Sequence, residues 1–162
     1  MNVGTFKDMY LAELREARSL EEQLTKALPT MVEKASDSDL KKAFKSHLSE
    51  TRSHLDRVDG VLRRHNAGNE THKDHSMEKL ITETGKWAEI LDNREQRDAG
   101  LIASAQRIEH YEMAVYGTLA AWAKQLGYGE DEQELRSILA EERQADERLT
   151  TLAERDVNPT AA

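Results

Sequence analysis

Seven side chains of metal-ligating type interrupt apolar stripes at mid-length: Glu21; Glu50 with His54; Glu109 with Glu112; and Glu142 with Asp146. Members of each pair are three or four residues apart, so on a helix both can face one centre. The pattern repeats within the chain. Glu21 precedes Glu50-x-x-x-His54 by 29 residues, and Glu112 precedes Glu142-x-x-x-Asp146 by 30. A bundle made of two such halves would gather six carboxylates and one imidazole. Carboxylates crowded in a dry core cannot all stay ionised without cations. Two divalent metals would supply the missing charge, and an oxygen-rich set with one nitrogen suits iron, or manganese. Metals bridged by carboxylates can hold O₂ or peroxide between them, which would allow oxidation of Fe(II) or consumption of peroxide. No separate catalytic residue is legible.

Each residue also has a plainer reading. A single glutamate on a helix usually faces solvent, so the seven carry weight only as a set, and Glu21 has Glu22 beside it. His47 stands on the second stripe with no matching partner motif. His110 lies off the central stripe, as a surface or outer residue. Tyr10, Tyr111 and Tyr116 read as packing, although Tyr116, seven residues after Glu109, could reach a centre.

The elements that must position this set are long helices. The longest clean stretch is Asp98–Leu126, with Leu101, Ala105, Ile108, Val115, Leu119, Trp122 and Leu126 stepping by threes and fours. Glu112 fills its one polar gap, with Glu109 beside it. A first helix over about 2–33 carries Val3, Phe6, Tyr10, Leu14, Ala17, Leu24, Leu28 and Met31, with Pro29 expected to kink or close it. Ser36 with Asp39 resembles a capping box for a second helix, about 40–65. Its stripe is Leu40, Ala43, His47, Glu50, His54, Val58 and Val61, stopped by Asn66-Ala67-Gly68-Asn69 with Gly68 suited to the left-handed cap. Residues 70–75 read as a polar loop holding His72 and His75. A shorter accessory helix then carries Met77 to Leu91, weakened by Gly85. Asp92 with Glu95 is a second capping-box candidate, and Gly127 with Gly129 ends the long helix. The last helix, about 130–155, carries Leu135, Ile138, Leu139, Leu149 and Leu152, before a tail expected to fray. Four main helices with an accessory one in the long connection make an all-α bundle, one domain over 1–162 with its core over about 3–155.

Composition narrows the function classes. The absence of cysteine removes disulfides, thiolate metal sites and a cysteine nucleophile, and fits a reducing cytoplasm. A net charge of −8 with no basic stripe argues against nucleic acid as a partner, and the six candidate acids account for six of those eight charges. No apolar run is long enough to cross a membrane, and none reads as a signal peptide. A cytoplasmic location is expected.

SLEEQLTKAL (19–28), HLSETRSHLDRVD (47–59), DAGLIASAQRIEHYEMAVYGTLAAWAKQLG (98–127) and LAEERQADERLTTLA (139–153) resemble the YciF-type bacterial stress-response family. EHYEMAVYGTL is the most specific segment, and the similarity spans about residues 3–155. The resemblance implies a ferritin-like four-helix bundle related to rubrerythrin-like di-iron proteins, with Glu21, Glu50, His54, Glu109, Glu112, Glu142 and Asp146 holding two metal ions. It also implies a homodimer and induction under stress, but no known reaction. Two departures stand out. The ferritin-like Glu-x-x-His spacing becomes four residues here, from Glu50 to His54, and Asp146 stands where many di-iron proteins place histidine. So nitrogen-poor a site should hold its second metal loosely. A rubrerythrin-like peroxidase would need an external electron-donor protein, because the cysteine-rich electron-transfer module is absent. The competing class is a non-catalytic bundle, a binding or scaffold homodimer whose polar core sets helix register.

Overall fold

In the computed structural model, which describes residues 3–68 and 72–162, side-chain caps set where most of the helices begin. Thr5 and Asp8 form a reciprocal capping box at the start of α1 (Phe6–Lys34). For α2 (Ser38–Arg64) the cap is Asp37, whose carboxylate accepts from the amides of Asp39 and Leu40, both at 2.8 Å. The expected Ser36–Asp39 box does not form, since one Asp37 carboxylate oxygen already meets both donors. Asp74 caps α3 (His75–Ile90). Asn93 caps α4 (Arg94–Leu126) by accepting from Gln96, which displaces the expected Asp92–Glu95 box by one residue. Gly127, at φ 75°, closes α4 in the left-handed region that glycine adopts without strain.

Three further expectations are corrected. Pro29 does not close α1, which runs on to Lys34. Proline removes one backbone bond, and the buried Leu28 and Met31 on either side hold the turn in place. Asn66 (φ 55°), not Gly68, takes the left-handed turn after α2; Asn69 lies outside the described residues, as do 70 and 71 of the polar loop and residue 2. The tail does not fray. After α5 (Gly129–Leu152) a π-helical turn, Ala153–Val157, and a last short helix α6 (Asn158–Ala161) pack back on α4, with Val157 buried.

The α1–α2 and α4–α5 hairpins pack face to face, α1 against α4 and α2 against α5, while α3 covers α1 and α4. Two buried aspartates stitch the ends. Asp98, in the first turns of α4, accepts from the amides of Ser36 and Asp37 at 2.8 and 2.7 Å. Hence α4 starts where α1 turns into α2, and runs parallel to α2. At the other end Asp131 of α5 meets the Tyr10 hydroxyl at 3.0 Å, Arg64 at 2.7 Å and His65 at 2.6 Å. The α3 connection carries the chain back between these ends, and Gly100 lets it lie close: a Cβ there would meet Trp87 at 3.0 Å.

Asp98→Ala would leave two amides of the α1–α2 turn without their charged acceptor. Urea melts should show a loss of about 2–4 kcal/mol.

The core is aliphatic, from Leu14, Leu20 and Leu24 through Val58 and Leu62 to Leu119, Leu135 and Ile138. Val3 and Phe6, expected on the first stripe, are exposed at 47% and 39%: Val3 precedes α1, and Phe6 opens it with its ring 5.5 Å from that of Trp122. No helix among the described residues is long and apolar enough to cross a membrane.

Candidate metal centre

Each main helix carries its buried seam through mid-length with polar groups on it. On α1 the seam Tyr10, Leu14, Ala17, Leu24, Leu28 includes Glu21; on α4 Ile108 and Val115 bracket Glu109 and Glu112. On α2 the seam runs Leu40, Phe44, His47, Thr51, His54, Val58, and on α5 Ile138, Glu142, Ala145, Leu149. Two groups result. His47, Glu109, Glu112 and Glu142 form one, and Glu21, His54 and Glu142 the other; within each, candidate ligand atoms lie within 4.8 Å of one another. Glu142 belongs to both. The set is four carboxylates and two imidazoles, all buried, with His47 the least so at 6% exposed.

These groups sit close without satisfying one another. Glu142 Oε1 lies 2.8 Å from His54 Nδ1, Glu21 Oε1 lies 3.7 Å from the same nitrogen, and His47 Nε2 is 3.3 Å from Glu109 Oε1. None of these contacts has hydrogen-bond geometry. Among the described residues eleven buried side-chain atoms lack a hydrogen-bond partner, and nine belong to these six residues. They include both oxygens of Glu112 and of Glu142 and both ring nitrogens of His47. Native cores rarely leave such groups unpaired, because each costs its full desolvation. The nine lie in the two adjoining groups, whose ligand-type atoms are close enough together that each group could hold a metal ion.

The electrostatics agree. Burial, then the charge of Glu142, pushes the Glu109 carboxyl well above its usual range, and burial followed by Glu142 and Glu21 does the same to Glu112. Burial also raises Glu21, to about 8, although His54 pulls it back. For His54 burial opposes the charged form, but the carboxylates of Glu142 and Glu21 outweigh it and lift the ring to about 9. Tyr116 donates to Glu21, and burial and that carboxylate hold its own proton firmly.

Behind each imidazole stands a carboxylate held by an arginine. His54 Nε2 is 2.7 Å from Glu141, whose oxygens both accept from Arg57 at 2.9 Å, and Arg57 also meets Glu134. This fixes the ring so that Nδ1 faces the cluster. His47 Nδ1 is 3.5 Å from Glu50, which accepts from Arg148 at 2.8 and 3.1 Å. Such outer carboxylates orient imidazole ligands in metal sites.

Of the seven residues singled out by spacing, the fold brings Glu21, His54, Glu109, Glu112 and Glu142 together. Glu50 and Asp146 stay outside. The seam of α2 steps four residues from His47 to Thr51 and then three to His54, so Glu50 turns toward Arg148. On α5 the step from Glu142 is three, to Ala145; Asp146 instead accepts from Gln106 at 3.2 Å and lies 3.3 Å from the exposed His110. His47, seven residues before His54 and hence on one face with it, takes the place left open.

An all-helical bundle with a buried carboxylate–imidazole cluster defines the class. The chain belongs to the family described as Domain of unknown function (DUF892), whose profile matches residues 5–162. It is 41% identical over 162 residues to Protein YciF of Escherichia coli (strain K12), covering 99% of this chain and 98% of that one. The crystal structure of the E. coli stress protein YciF superposes with a TM-score of 0.92 over 96% of this chain and 99% of that chain. YcfI of Rhodopseudomonas palustris, put forward as a structural protein, is 37% identical, with a TM-score of 0.89 over 93% of this chain and 96% of that one. A Xanthomonas campestris protein at 22% identity and a TM-score of 0.74 shares the fold.

Proposed function

We propose that this is a ferritin-like stress-response protein holding a dinuclear iron, or manganese, centre between its four main helices. The observation that carries the reading is the convergence of nine unpartnered buried donor and acceptor atoms. Two divalent cations would balance four carboxylates, and each group contains one imidazole nitrogen.

The donor count also fits. Ferritin-like di-iron proteins draw a Glu from each of two helices and Glu-x-x-His from the other two. Here those motifs read Thr51-x-x-His54 and Glu142-x-x-Ala145, each with one member gone. His47 and Glu109 restore the total of four carboxylates and two imidazoles. This makes the set richer in nitrogen than Glu50 and Asp146 would have made it.

Bound metals would supply redox chemistry toward O₂ or peroxide. The chain's own part is to hold and orient. Glu142 belongs to both groups and would help hold both ions, Glu141 and Arg57 fix His54, and Tyr116 pins Glu21. The reading includes a homodimer, for which the exposed Val3, Phe6 and Met9 offer apolar surface, and an external reductant, since the chain has no cysteine.

The alternative, a scaffold whose polar core sets register, has YcfI's description as structural in its favour. A register-setting core, however, would be expected to hydrogen-bond internally.

Protein loaded anaerobically with Fe(II) and then given H₂O₂ or O₂ should oxidise the iron faster than buffer does. Binding without acceleration would leave metal binding standing and remove the redox role.

A further inference from the structure

We propose that the small residues Ala43 and Ala145, closed over by the Arg148–Glu50 pair, form the entry by which a divalent cation reaches the His47–Glu109 side of the centre. The proposal rests on the metal reading of that centre.

His47 and Glu109 line the floor of a narrow recess of about 10 Å³ between α2 and α5, walled by Ala43, Phe44, Ala145 and Leu149, with Arg148 at its edge. That is room for about one water, so a cation with its hydration shell cannot pass without movement. The recess shares Ala43 and Arg148 with a groove of about 630 Å³ on the surface. Asp39, Glu147 and Asp156 stand along this groove against Lys42 and Arg148, so it is acidic overall and attracts cations. At the far side Tyr116 closes on Glu21, while Glu141 and Arg57 close on His54.

Ala145 makes the recess. It follows Glu142 by three residues on the buried seam, and any larger side chain would fill the space before His47. Arg148 is the movable part. Its side chain is 39% exposed and that of Glu50 is 27% exposed, and ion pairs of this kind contribute little to holding two side chains together. When the guanidinium swings out, the Glu50 carboxylate is left 3.5 Å from His47 with no cation on it. Glu50 would then offer a divalent ion a carboxylate oxygen in exchange for a water released to the groove, with His47 and Glu109 next along the path. The buried, unpartnered nitrogens of His47 supply the pull inward. Glu50 is thus a carboxylate of the path and not of the centre.

The test is the rate of Co(II) uptake by apoprotein, followed by visible absorbance, with metal per chain measured at equilibrium in parallel. Ala145→Leu should slow uptake by about tenfold or more while keeping the wild-type stoichiometry, and Glu50→Gln should slow it less. Arg148→Ala, a change on an exposed side chain that does not threaten folding, should speed both uptake and removal by EDTA several-fold. Wild-type rates in folded Ala145→Leu, or in Arg148→Ala, would overturn the entry while leaving the centre intact. A wild-type protein that takes up no Co(II) at equilibrium would overturn the centre and the entry together.

Discussion

Apoprotein carrying Glu112→Gln is expected to melt at or above the temperature of apo wild type, while its metal binding falls steeply. Glu112 is fully buried, neither of its oxygens has a hydrogen-bond partner, and burial with three neighbouring carboxylates disfavours its charge. Glutamine keeps the shape and removes the ionisable group, and its amide protons meet acceptors on Glu109 and Glu142 within the same cluster. The same amide is a poor partner for a cation, so affinity at the His47 group should drop by about 100-fold or more. A scaffold role forecasts the reverse: loss of stability on substitution, and metal behaviour unmoved. Thermal melts of both apoproteins beside a metal titration separate the two.

The second large effect is the pH dependence of the apoprotein, whose melting temperature should rise as pH falls from about 8.5 to 5.5. A carboxyl with a folded-state pKa above its unfolded one holds its proton more tightly when folded. For Glu21, raised to about 8 from 4.5, the stabilisation is complete below the lower value and is lost as pH rises through the upper. Glu109 and Glu112 are raised in the same direction. For His54, raised to about 9 from 6.5, the contribution is complete below 6.5 and is lost as pH rises through 9. All four therefore favour the acid side of this window, as one coupled set whose parts do not add. A gain of a few kcal/mol, or roughly 5–10 °C, is expected. Glu50 and Glu141, held below the usual range, lose their stabilisation only as pH falls through values lower than 4.5, which leaves the window clear. Metal binding must run oppositely, since it expels these protons and so strengthens with rising pH. An apoprotein whose melting temperature only declines from 8.5 to 5.5 would contradict the buried cluster.

The four main helices and the accessory one were legible because long three-and-four stepping of apolar residues leaves little else for those stretches to do. The caps were less so. Ser36, Asp37 and Asp39, or Asp92 and Asn93, are all competent cap residues within a few positions, and the choice falls to whichever carboxylate or amide the turn aims at the free amides. The clustered residues differ from the set that spacing suggests in two places, for one reason. On α2 and α5 the seam could step by three or by four, and the residues on it, Thr51 and Ala145, are not ligand types, whereas their neighbours Glu50 and Asp146 are. One residue of register is a rotation of about 100° on a helix. That turns Glu50 outward to Arg148 and Asp146 outward to Gln106 and His110. The signal for His47 was present, in its seven-residue spacing to His54 along one face. What spacing could not show is that Glu109, on a neighbouring helix, lies opposite it at 3.3 Å.

Metal content after anaerobic reconstitution with Fe(II) tests the centre most directly. Wild type should bind about two ions per chain, and Glu142→Ala, which removes the one residue common to both groups, should bind fewer than one. Asp146→Asn, outside the cluster, should keep the wild-type stoichiometry. Folded wild type without bound iron, or Glu142→Ala binding as much as wild type, would contradict the account.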